Sequence, residues 1–440
     1  MADKPKNKTS IYKPKPISGF PEWLPEERLV EQQWLDHIRK VFESYGFCSI
    51  ETPSVEEIDV LLAKGEVDKE IYVLERLHKD EESDKESRLA LHFDQTVPFA
   101  RYTAQHFNEL VFPFKRYQMQ RVWRGERPQM GRMREFTQCD IDVINVDNLP
   151  LAFDAEIPAM IYEVLDGLNI GKVQIRISNR KILLGLLEAM GIEDTTSVTR
   201  IIDKIEKFSL DDIQKMLSDE KLADDQISKI INLSRTKGGV DALQALETEN
   251  DLMREGIEEL SFVMKNLSHL PEGAAVADLS IVRGLDYYTG TVYETQLLDV
   301  PEFTGSVCSG GRYDDLASQY INKKLPGVGI SIGFSRLFDV IRQSRPDLMT
   351  IGPKSPADML MYTEDENLAG SVNKTAQDLR KRGFNVEVYH TVKKWDKHFK
   401  YAKNKQIPLI WYVKGDNEHE VKNMESGDQN TVDPAEWEKD

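Results

Sequence analysis

The chain has 440 residues, of which 57 are Lys or Arg and 75 are Asp or Glu, so its formal net charge is −18. At roughly 100–200 residues per domain, this length predicts two to four domains. A hydrophobic fraction of 40% and a charged fraction of 30% exclude a wholly disordered chain, and no apolar run approaches the ~18 residues of a membrane helix.

The N-terminal segment and the cysteines indicate a cytoplasmic protein. The segment up to Phe20 is rich in Lys and Pro and lacks the apolar stretch of a secretory signal. Three cysteines, Cys48, Cys139 and Cys308, are far apart and form neither a disulfide framework nor a zinc-binding spacing. We therefore predict a reducing, cytoplasmic location without membrane association.

The first part of the chain alternates helical and extended patterns after a flexible basic arm over residues 1–16. Apolar residues at helical spacing, followed by Gly46, predict a helix over Glu26–Tyr45. Two extended runs on either side of the polar loop Gly125–Met133 predict a long antiparallel hairpin. Its strands are predicted over Phe114–Arg124 and Arg134–Ile144, after strands over Phe47–Pro53 and Leu89–Phe93 and a helix over Asp94–Ala104.

An acidic helical segment occupies the middle of the chain. Residues 194–270 contain 16 acidic and 10 basic residues in amphipathic helical patterns without clear strands, which predicts a helical insertion. Around it we predict helices over Leu151–Leu168 and Lys181–Met190, strands over Val173–Ile177, Ala275–Val282 and Thr291–Leu297, a glycine-rich turn over Ser309–Arg312, and a strand leading into a helix over Leu325–Ile341.

A break with three prolines and a glycine, Pro346–Pro356, separates the last segment. Strands alternate with helices beyond it, which predicts a small α/β domain with largely parallel strands. The predicted strands are Met359–Tyr362, Asn385–Tyr389 and Leu409–Val413, and the predicted helices are Gly370–Arg382 and Trp395–Asn404.

The elements together predict an α+β fold, with an antiparallel-sheet core, a helical insertion and a C-terminal α/β domain. We predict the core over residues 17–190 and 271–345, the insertion over residues 191–270, and the C-terminal domain over residues 356–440.

Positive charge is concentrated in two stretches of this acidic chain. Taken as a sum, −18 argues against nucleic-acid binding, because Lys and Arg drive binding to phosphates. However, Lys115–Arg134 carries a net charge of +6 and Val372–Lys405 one of +7, whereas the segment Lys414–Asp440 carries −6. Such stretches are often solvated faces, but two of them in different domains favour an extended polyanion as partner.

Five sequence motifs lie between Gly46 and Leu337. The hairpin carries Arg124-Gly-Glu-Arg-Pro-Gln-Met-Gly-Arg132-Met-Arg-Glu-Phe136, in which guanidinium groups can bind phosphates and Phe136 can stack on a purine. It resembles motif 2 of class II aminoacyl-tRNA synthetases, while Gly46–Pro53 resembles motif 1 and Gly327–Leu337 motif 3. Arg283-Gly-Leu-Asp-Tyr-Tyr-Thr-Gly-Thr-Val-Tyr-Glu294 and Cys308-Ser-Gly-Gly-Arg-Tyr-Asp314 resemble the two signatures of histidyl-tRNA synthetases. The resemblance extends from about Ile17 to beyond Val413.

This resemblance implies a homodimeric enzyme that activates L-histidine with ATP and Mg²⁺, without a prosthetic group or a metal site of its own, and transfers histidine to tRNA(His). It places Arg124 on the α-phosphate of ATP, Arg132 on the β- and γ-phosphates, Phe136 under the adenine and Arg336 over it. Glu126, which shares a strand face with Arg124, belongs to the same ATP site. Arg127 and Gln129 in the motif 2 loop would contact the acceptor end of the tRNA.

The resemblance also implies which residues hold histidine. Acceptors would hold the ammonium group, and a carboxylate with a phenol would recognise both ring nitrogens. Arg283 and Arg124 would act in catalysis by stabilising charge on the α-phosphate while histidine attacks. The implied histidine-binding residues are Asp94, Thr96, Gln138, Asp142, Arg283, Tyr287, Tyr288 and Tyr313. Asp140 fits this set less clearly.

Two positions depart from the family pattern, and two alternative functions are distinguished from this one by other residues. Ser335 stands where motif 3 usually has Glu, and Gln95 stands where Gly or Leu is usual. A histidine-sensing regulatory paralogue of a histidine-biosynthetic transferase would share the core but typically lacks the catalytic arginines and the anticodon domain. A class II synthetase for another amino acid would lack the histidine signatures.

Overall fold

The computed structural model describes residues 13–62, 70–75, 88–282, 288–315, 317–349 and 351–438. Their contacts divide them into two compact units. The first unit contains the described residues up to Pro21 and those of Asp36–Leu348, and the second contains Glu22–Leu35 and the described residues from Met349 onward. The division of the chain into core, insertion and C-terminal domain stays a prediction.

A nine-stranded sheet organises the first unit. Its strands are β1 (Cys48–Ser49), β5 (Phe114–Trp123), β6 (Glu135–Ile144), β7 (Val173–Asn179), β8 (Lys237–Gly238), β9 (Ala275–Asp278), β10 (Thr291–Leu297), β11 (Cys308–Tyr313) and β12 (Gly327–Ile332). They lie in the order β1-β5-β6-β12-β11-β10-β7-β9-β8. Pairing is antiparallel except between β1 and β5 and between β7 and β9. The predicted antiparallel core and the β5–β6 hairpin are confirmed.

Three short strands form a separate sheet near the start of the chain. They are β2 (Val55–Glu57), β3 (Val73–Leu74) and β4 (Leu89–Leu91). Both neighbours of β4 run antiparallel to it. The predicted strand over Leu89–Phe93 is therefore real but shorter, because the chain turns at Phe93 toward the next helix.

Two of the helices in this part of the chain pack against the nine-stranded sheet. The helices of this part are α1 (Pro25–Ser44), α2 (Ile58–Leu62), α3 (Thr96–Gln105), α4 (Phe153–Gly167), α5 (Arg180–Ala189) and α11 (Phe334–Ser344). On β6, Cys139, Ile141 and Val143 alternate and are fully buried. Helix α11 packs on β6, and α4 packs on the neighbouring β12. The other face of β6 is thereby left to polar side chains.

The acidic middle segment is helical, as predicted. Its helices are α6 (Thr195–Ile202), α7 (Leu210–Asp219), α8 (Asp224–Ser234), α9 (Val240–Gln244) and α10 (Asp251–Asn266). Side-chain caps define several starts, because Asp194, Ser209 and Asn250 each accept a hydrogen bond from a backbone N–H of the first turn.

Two predictions for this region were wrong. The segment is not free of strands, since Lys237–Gly238 pairs with β9 at the edge of the sheet. The glycine-rich turn predicted over Ser309–Arg312 is instead part of β11, paired on both sides. Its glycines reflect close packing, because a Cβ on Gly310 would lie 2.0 Å from the carbonyl oxygen of Gly329 on the neighbouring strand.

The second unit is built around a five-stranded sheet. Its elements are β13 (Met359–Tyr362), α12 (Ala369–Lys381), β14 (Val386–Val388), α13 (Trp395–Lys405), β15 (Leu409–Gly415), β16 (Glu418–Asn423) and β17 (Gln429–Val432). The strands lie in the order β14-β13-β15-β16-β17. The pairs of β13 with β14 and β15 are parallel, as predicted, but β15, β16 and β17 form an antiparallel meander that the sequence analysis missed.

Candidate active site

One face of β6 carries three polar side chains in succession, Gln138, Asp140 and Asp142. Residues two apart on a strand point to the same side, so the three share one face. Opposite them on β5 lie Gln120, Gln118 and Arg116. On the other side, Ser331 and Gly329 of β12 are paired with Asp140 and Asp142. The result is a polar surface of three strands, which we call the polar face.

Asp142 is buried and already held by the protein. Its Oδ2 lies 2.5 Å from Nη2 of Arg116, a residue with no exposed surface. Its Oδ1 accepts a 2.9 Å hydrogen bond from the Tyr313 hydroxyl. Burial and the charge of Asp142 together raise the pKa of Tyr313 well above its ordinary value, so the phenol keeps its proton. The structure thus brings together two of the predicted histidine-binding residues.

Glycines of β12 make room for this pair. A Cβ on Gly329 would lie 2.1 Å from Oδ1 of Asp142, and one on Gly327 would lie 2.4 Å from the Tyr313 ring. Any other residue would displace these side chains, which explains why the motif 3 strand is rich in glycine.

Asp94 and Thr96 lie where the polar face meets helix α3. Oδ1 of Asp94 accepts a hydrogen bond from the Val97 N–H at 3.1 Å, which stabilises the helix start. Between them, Gln95 is fully buried and its Nε2 donates to the carbonyl oxygens of Gln120 and Gln138, at 3.0 and 3.1 Å. Gln95 therefore fastens α3 to the hairpin, which gives the departure at this position a structural role.

The hairpin presents Arg124, which directly follows β5, beside Phe136 of β6. The Arg124 guanidinium carbon lies 5.1 Å from the centroid of the Phe136 ring, and its Nε donates to the Phe93 carbonyl oxygen at 3.0 Å. Glu126 lies 4.0 Å from Arg124 and 3.2 Å from Arg132, whose side chain is 52% exposed. Four of the five residues predicted for the ATP site are thus adjacent.

The loop between the hairpin strands is fastened to helix α11. Nε of Arg336 donates to the Gly131 carbonyl oxygen at 2.9 Å, and the Gly131 N–H donates to Asp339 at 3.1 Å. Ser335 Oγ accepts from the Thr137 N–H at 2.8 Å, so the short hydroxyl holds β6 in this chain. In the same loop, the backbones of Gln129 and Arg132 form an isolated bridge.

Residues 288–294 of the signature that begins at Arg283 are among the described residues. Arg283 and Tyr287 lie outside the described residues. Tyr288 packs against the cluster that contains Phe99 and Tyr313, and a Cβ on Gly311 would lie 2.7 Å from its ring. Tyr288 therefore lies beside Tyr313, and its place in the histidine site stays a prediction.

Arg116 was not among the predicted site residues, and Asp140, which was set apart from the predicted histidine-binding residues, lies on the same face of β6 as Gln138 and Asp142. Arg116 is fully buried, with its guanidinium carbon 4.2 Å from the centroid of the Phe99 ring. Burial raises the pKa of Asp140 to about 7, although Arg116 and a hydrogen bond with Ser331 oppose that shift. Strand alternation alone places Asp140 on the face of Gln138 and Asp142, whereas the pairing of Arg116 with Asp142 joins two strands and has no local signal in the sequence.

Within the described ranges, no helix is long and apolar enough to cross a membrane. Nor do the described His, Cys, Asp and Glu side chains form a group of three or more that could hold a metal ion.

An antiparallel sheet that carries an arginine-bearing hairpin beside a carboxylate pocket is the architecture of a class II aminoacyl-tRNA synthetase.

Comparison with known proteins identifies the family. The sequence model of the family described as Histidyl-tRNA synthetase matches residues 19–337, and that of an anticodon binding domain matches residues 349–439. A histidine–tRNA ligase of Thermobifida fusca is 52% identical over 435 residues, covering 97% of this chain and 98% of the relative. The chain belongs to the histidyl-tRNA synthetase family.

Solved structures agree with this assignment. The crystal structure of histidyl-tRNA synthetase from Nostoc sp. PCC 7120 has a TM-score of 0.86 and 38% identity, covering 96% of this chain and 97% of that chain. A Bacillus halodurans structure described as an ATP phosphoribosyltransferase regulatory subunit/histidyl-tRNA synthetase has a TM-score of 0.73 at 20% identity, covering 92% of this chain and 99% of that chain, and shares the fold alone.

Proposed function

We propose that this protein activates L-histidine with ATP, forming histidyl-adenylate, and transfers the histidyl group to the 3′ end of tRNA(His). AMP and diphosphate are the other products. The observation that carries the proposal is the adjacency, on one hairpin, of the Arg124–Phe136 pair and the buried carboxylates of the polar face. The 52% identity to a histidine–tRNA ligase over nearly the whole chain supports the same reaction.

Histidine would bind on the polar face. Asp142 and Tyr313 would recognise the imidazole ring, with Tyr287 and Tyr288 completing this side. Asp94, Thr96 and Gln138 would accept from the ammonium group. Because Asp142 is fixed by Arg116 and Tyr313, it would meet the ring in a preset position, which favours selectivity over analogues that cannot pair with it.

ATP would bind along the hairpin. Arg124 would neutralise the α-phosphate, Arg132 the β- and γ-phosphates, and Phe136 would stack on adenine, with Arg336 on the opposite side. Glu126 lies 4.0 Å from Arg124 and 3.2 Å from Arg132, and its charge would hold both guanidinium groups in place for this purpose. Mg²⁺ would enter with the nucleotide and supply charge neutralisation, with phosphate oxygens and water among its ligands.

Activation needs no general base from the protein. The histidine carboxylate is already ionised, so it can attack the α-phosphorus directly while diphosphate leaves. Negative charge grows on the α-phosphate oxygens, and we assign its stabilisation to Arg124 and Arg283. Their second task is to hold the carboxylate in line with the departing diphosphate.

The tRNA would be held at two places. Arg127 and Gln129 in the hairpin loop would contact its acceptor end. In the second unit, helix α13 combines exposed Lys397 and Lys400 with Trp395, which is 40% exposed and stacked on Phe399 with ring centroids 4.7 Å apart. Exposed cations beside an aromatic ring suit contacts to phosphates and unstacked bases, so we assign this helix to the anticodon side.

We retain the homodimer and the cytoplasmic location as predictions. The regulatory alternative has less support, because the chain matches the anticodon binding domain model and carries the arginines Arg124 and Arg132 on its hairpin.

The test is histidine-dependent exchange of diphosphate into ATP by the purified protein. We expect exchange with histidine and not with other amino acids, and a loss of several orders of magnitude in Arg283→Ala. Arg254→Ala, which changes an exposed arginine of helix α10 that pairs with Asp251 of the same helix, is the control and should keep exchange near the starting rate. Normal exchange by Arg283→Ala would remove Arg283 from catalysis, and no exchange by the unaltered protein would contradict the function itself.

A further inference from the structure

Among the residues that the structure describes, carboxylates on and beside the polar face outnumber the cations that act on Asp140. Charged groups acting on Asp140 are Arg116 from β5, Asp142 from its own strand and Asp94 from the start of α3. Among these described residues, three carboxylates face one guanidinium. A buried group of this kind is stabilised by a further cation.

Asp140 has an oxygen available for that cation. Asp140 as a whole is 5% exposed, and its buried Oδ1 has no hydrogen-bond partner among the described residues. Gln138 Oε1, on the same face, is likewise buried without a described partner, because Gln138 directs its Nε2 to Ser331 at 2.8 Å. Two neighbouring acceptors of the described residues therefore lack a partner, whereas each carboxylate oxygen of Asp142 already has one, Arg116 or Tyr313.

The chemistry of histidine decides which part of the substrate meets these acceptors. At neutral pH the imidazole ring is largely uncharged, with an ordinary pKa of about 6.5, whereas the α-ammonium group carries a fixed positive charge and three N–H donors. The carboxylates around Asp140 and the two unpartnered acceptors, Asp140 Oδ1 and Gln138 Oε1, match the ammonium group. The Asp142–Tyr313 pair is suited to the ring.

We propose, on the basis of the proposed function, that Asp140 is a further histidine-binding residue that accepts a hydrogen bond from the substrate's α-ammonium group beside Gln138. The pKa of Asp140, raised to about 7, agrees with a buried carboxylate that a bound cation would stabilise in its ionised form. Binding of the ammonium group then restores the ionised form and makes the site selective for amino acids over deaminated analogues.

Two inhibitors of the exchange reaction test this assignment. L-Histidinol keeps the ammonium group and lacks the carboxylate, whereas imidazole-4-propionate keeps the carboxylate and lacks the ammonium group. In Asp140→Asn we expect the inhibition constant of histidinol to rise roughly 10- to 100-fold, the range for losing a charge-assisted hydrogen bond. The constant of imidazole-4-propionate should change less than about 3-fold, well below one such bond.

Matched variants separate this role from a structural one. Cys139→Ala alters the adjacent side chain on the opposite face of β6 and should leave both constants unchanged. Asp140→Glu keeps the charge and should retain part of the affinity for histidinol, which also serves if Asp140→Asn does not fold. If the inhibition constants of both inhibitors rose equally in Asp140→Asn, Asp140 would contact the ring. If the melting temperature fell and both inhibition constants stayed unchanged, its role would be purely structural. Either result overturns the proposal. Absence of histidine-dependent exchange in the unaltered protein would instead contradict the proposed function.

Discussion

At the scale of single residues, Gly329 leaves the space in which Asp142 sits. A Cβ at this position would lie 2.1 Å from Oδ1 of Asp142 and 2.5 Å from the Ile141 carbonyl oxygen. In Gly329→Ala we therefore expect a loss of about 1–3 kcal/mol in the free energy of unfolding, the usual cost of overpacking. We also expect the KM for histidine to rise about 10-fold or more, because Asp142 must move.

Thermal unfolding and steady-state exchange measure these two effects. Gly370→Ala is the matched control, because its Cβ would meet nothing within 4 Å and it lies in helix α12. Alanine there should be neutral or slightly stabilising. If Gly329→Ala kept both its stability and its KM for histidine, the close packing of β12 on Asp142 would not matter for the site.

Asp140 makes the stability of the protein depend on pH. Its pKa is about 7 in the folded protein against an ordinary 3.8, so the folded state favours the neutral carboxyl. The stabilisation from this preference is complete below about pH 3.8 and is lost as the pH rises through about 7. Because asparagine does not ionise, Asp140→Asn should become progressively more stable than the unaltered protein between pH 5 and pH 8.

Melting temperatures measured across this pH range would check the sign, with an expected gain of a few degrees at pH 8. A difference that stays constant with pH would mean that Asp140 ionises as freely in the folded state as in the unfolded chain. If Asp140→Asn has a higher melting temperature at high pH and also binds histidinol more weakly, then Asp140 lowers the stability of the folded protein while it contributes to substrate binding.

At the scale of elements, helix α11 holds the hairpin through three contacts close together in sequence. Ser335 accepts from Thr137, Arg336 donates to Gly131 and Asp339 accepts from Gly131. Ser335→Ala leaves the Thr137 N–H without this partner and loosens the strand next to Phe136. We expect the KM for ATP to rise several-fold, corresponding to about 1–2 kcal/mol, with little change in the KM for histidine.

Exchange kinetics with each substrate varied in turn would measure this split. Ser344→Ala, at the far end of the same helix, is the control and should change neither KM. An equal rise in both KM values in Ser335→Ala would mean that the hydroxyl supports the whole sheet rather than the ATP side of the hairpin.

Elements with a strong periodic pattern were predictable from the sequence. The hairpin, the helices of the acidic segment and strand Thr291–Leu297 follow from alternation and helical spacing. The strand Cys308–Tyr313 was mistaken for a turn because its paired glycines are a consequence of neighbours distant in sequence. For the same reason Arg116 was missed, since its partner Asp142 lies on another strand.

At the scale of the whole molecule, the uneven charge predicts how tRNA binding responds to salt. The net charge is −18, yet the two basic stretches carry +6 and +7. Because counterions are released from the phosphates, affinity for tRNA should fall steeply with salt, while histidine-dependent exchange should change little. In the double variant Lys397→Glu, Lys400→Glu, the slope of log Kd against log salt should decrease by about 1 to 2.

Filter binding or fluorescence titration between about 50 and 300 mM salt would measure the slope. Lys265→Glu, an exposed lysine outside both basic stretches, is the control and should leave the slope unchanged. Equal slopes for all three proteins would exclude α13 from the tRNA-binding surface.

The order of strands in the nine-stranded sheet has a consequence for synthesis on the ribosome. The hairpin strand β6 is made early, but its neighbour β12 follows only after the helical segment α6–α10 has been translated. Until then the carboxylates of β6 lack the strand that completes their surroundings. A nascent chain released before Gly327 would therefore expose Asp140 and Asp142 on an unpaired strand edge, so that premature termination yields a product prone to aggregate and unable to bind histidine.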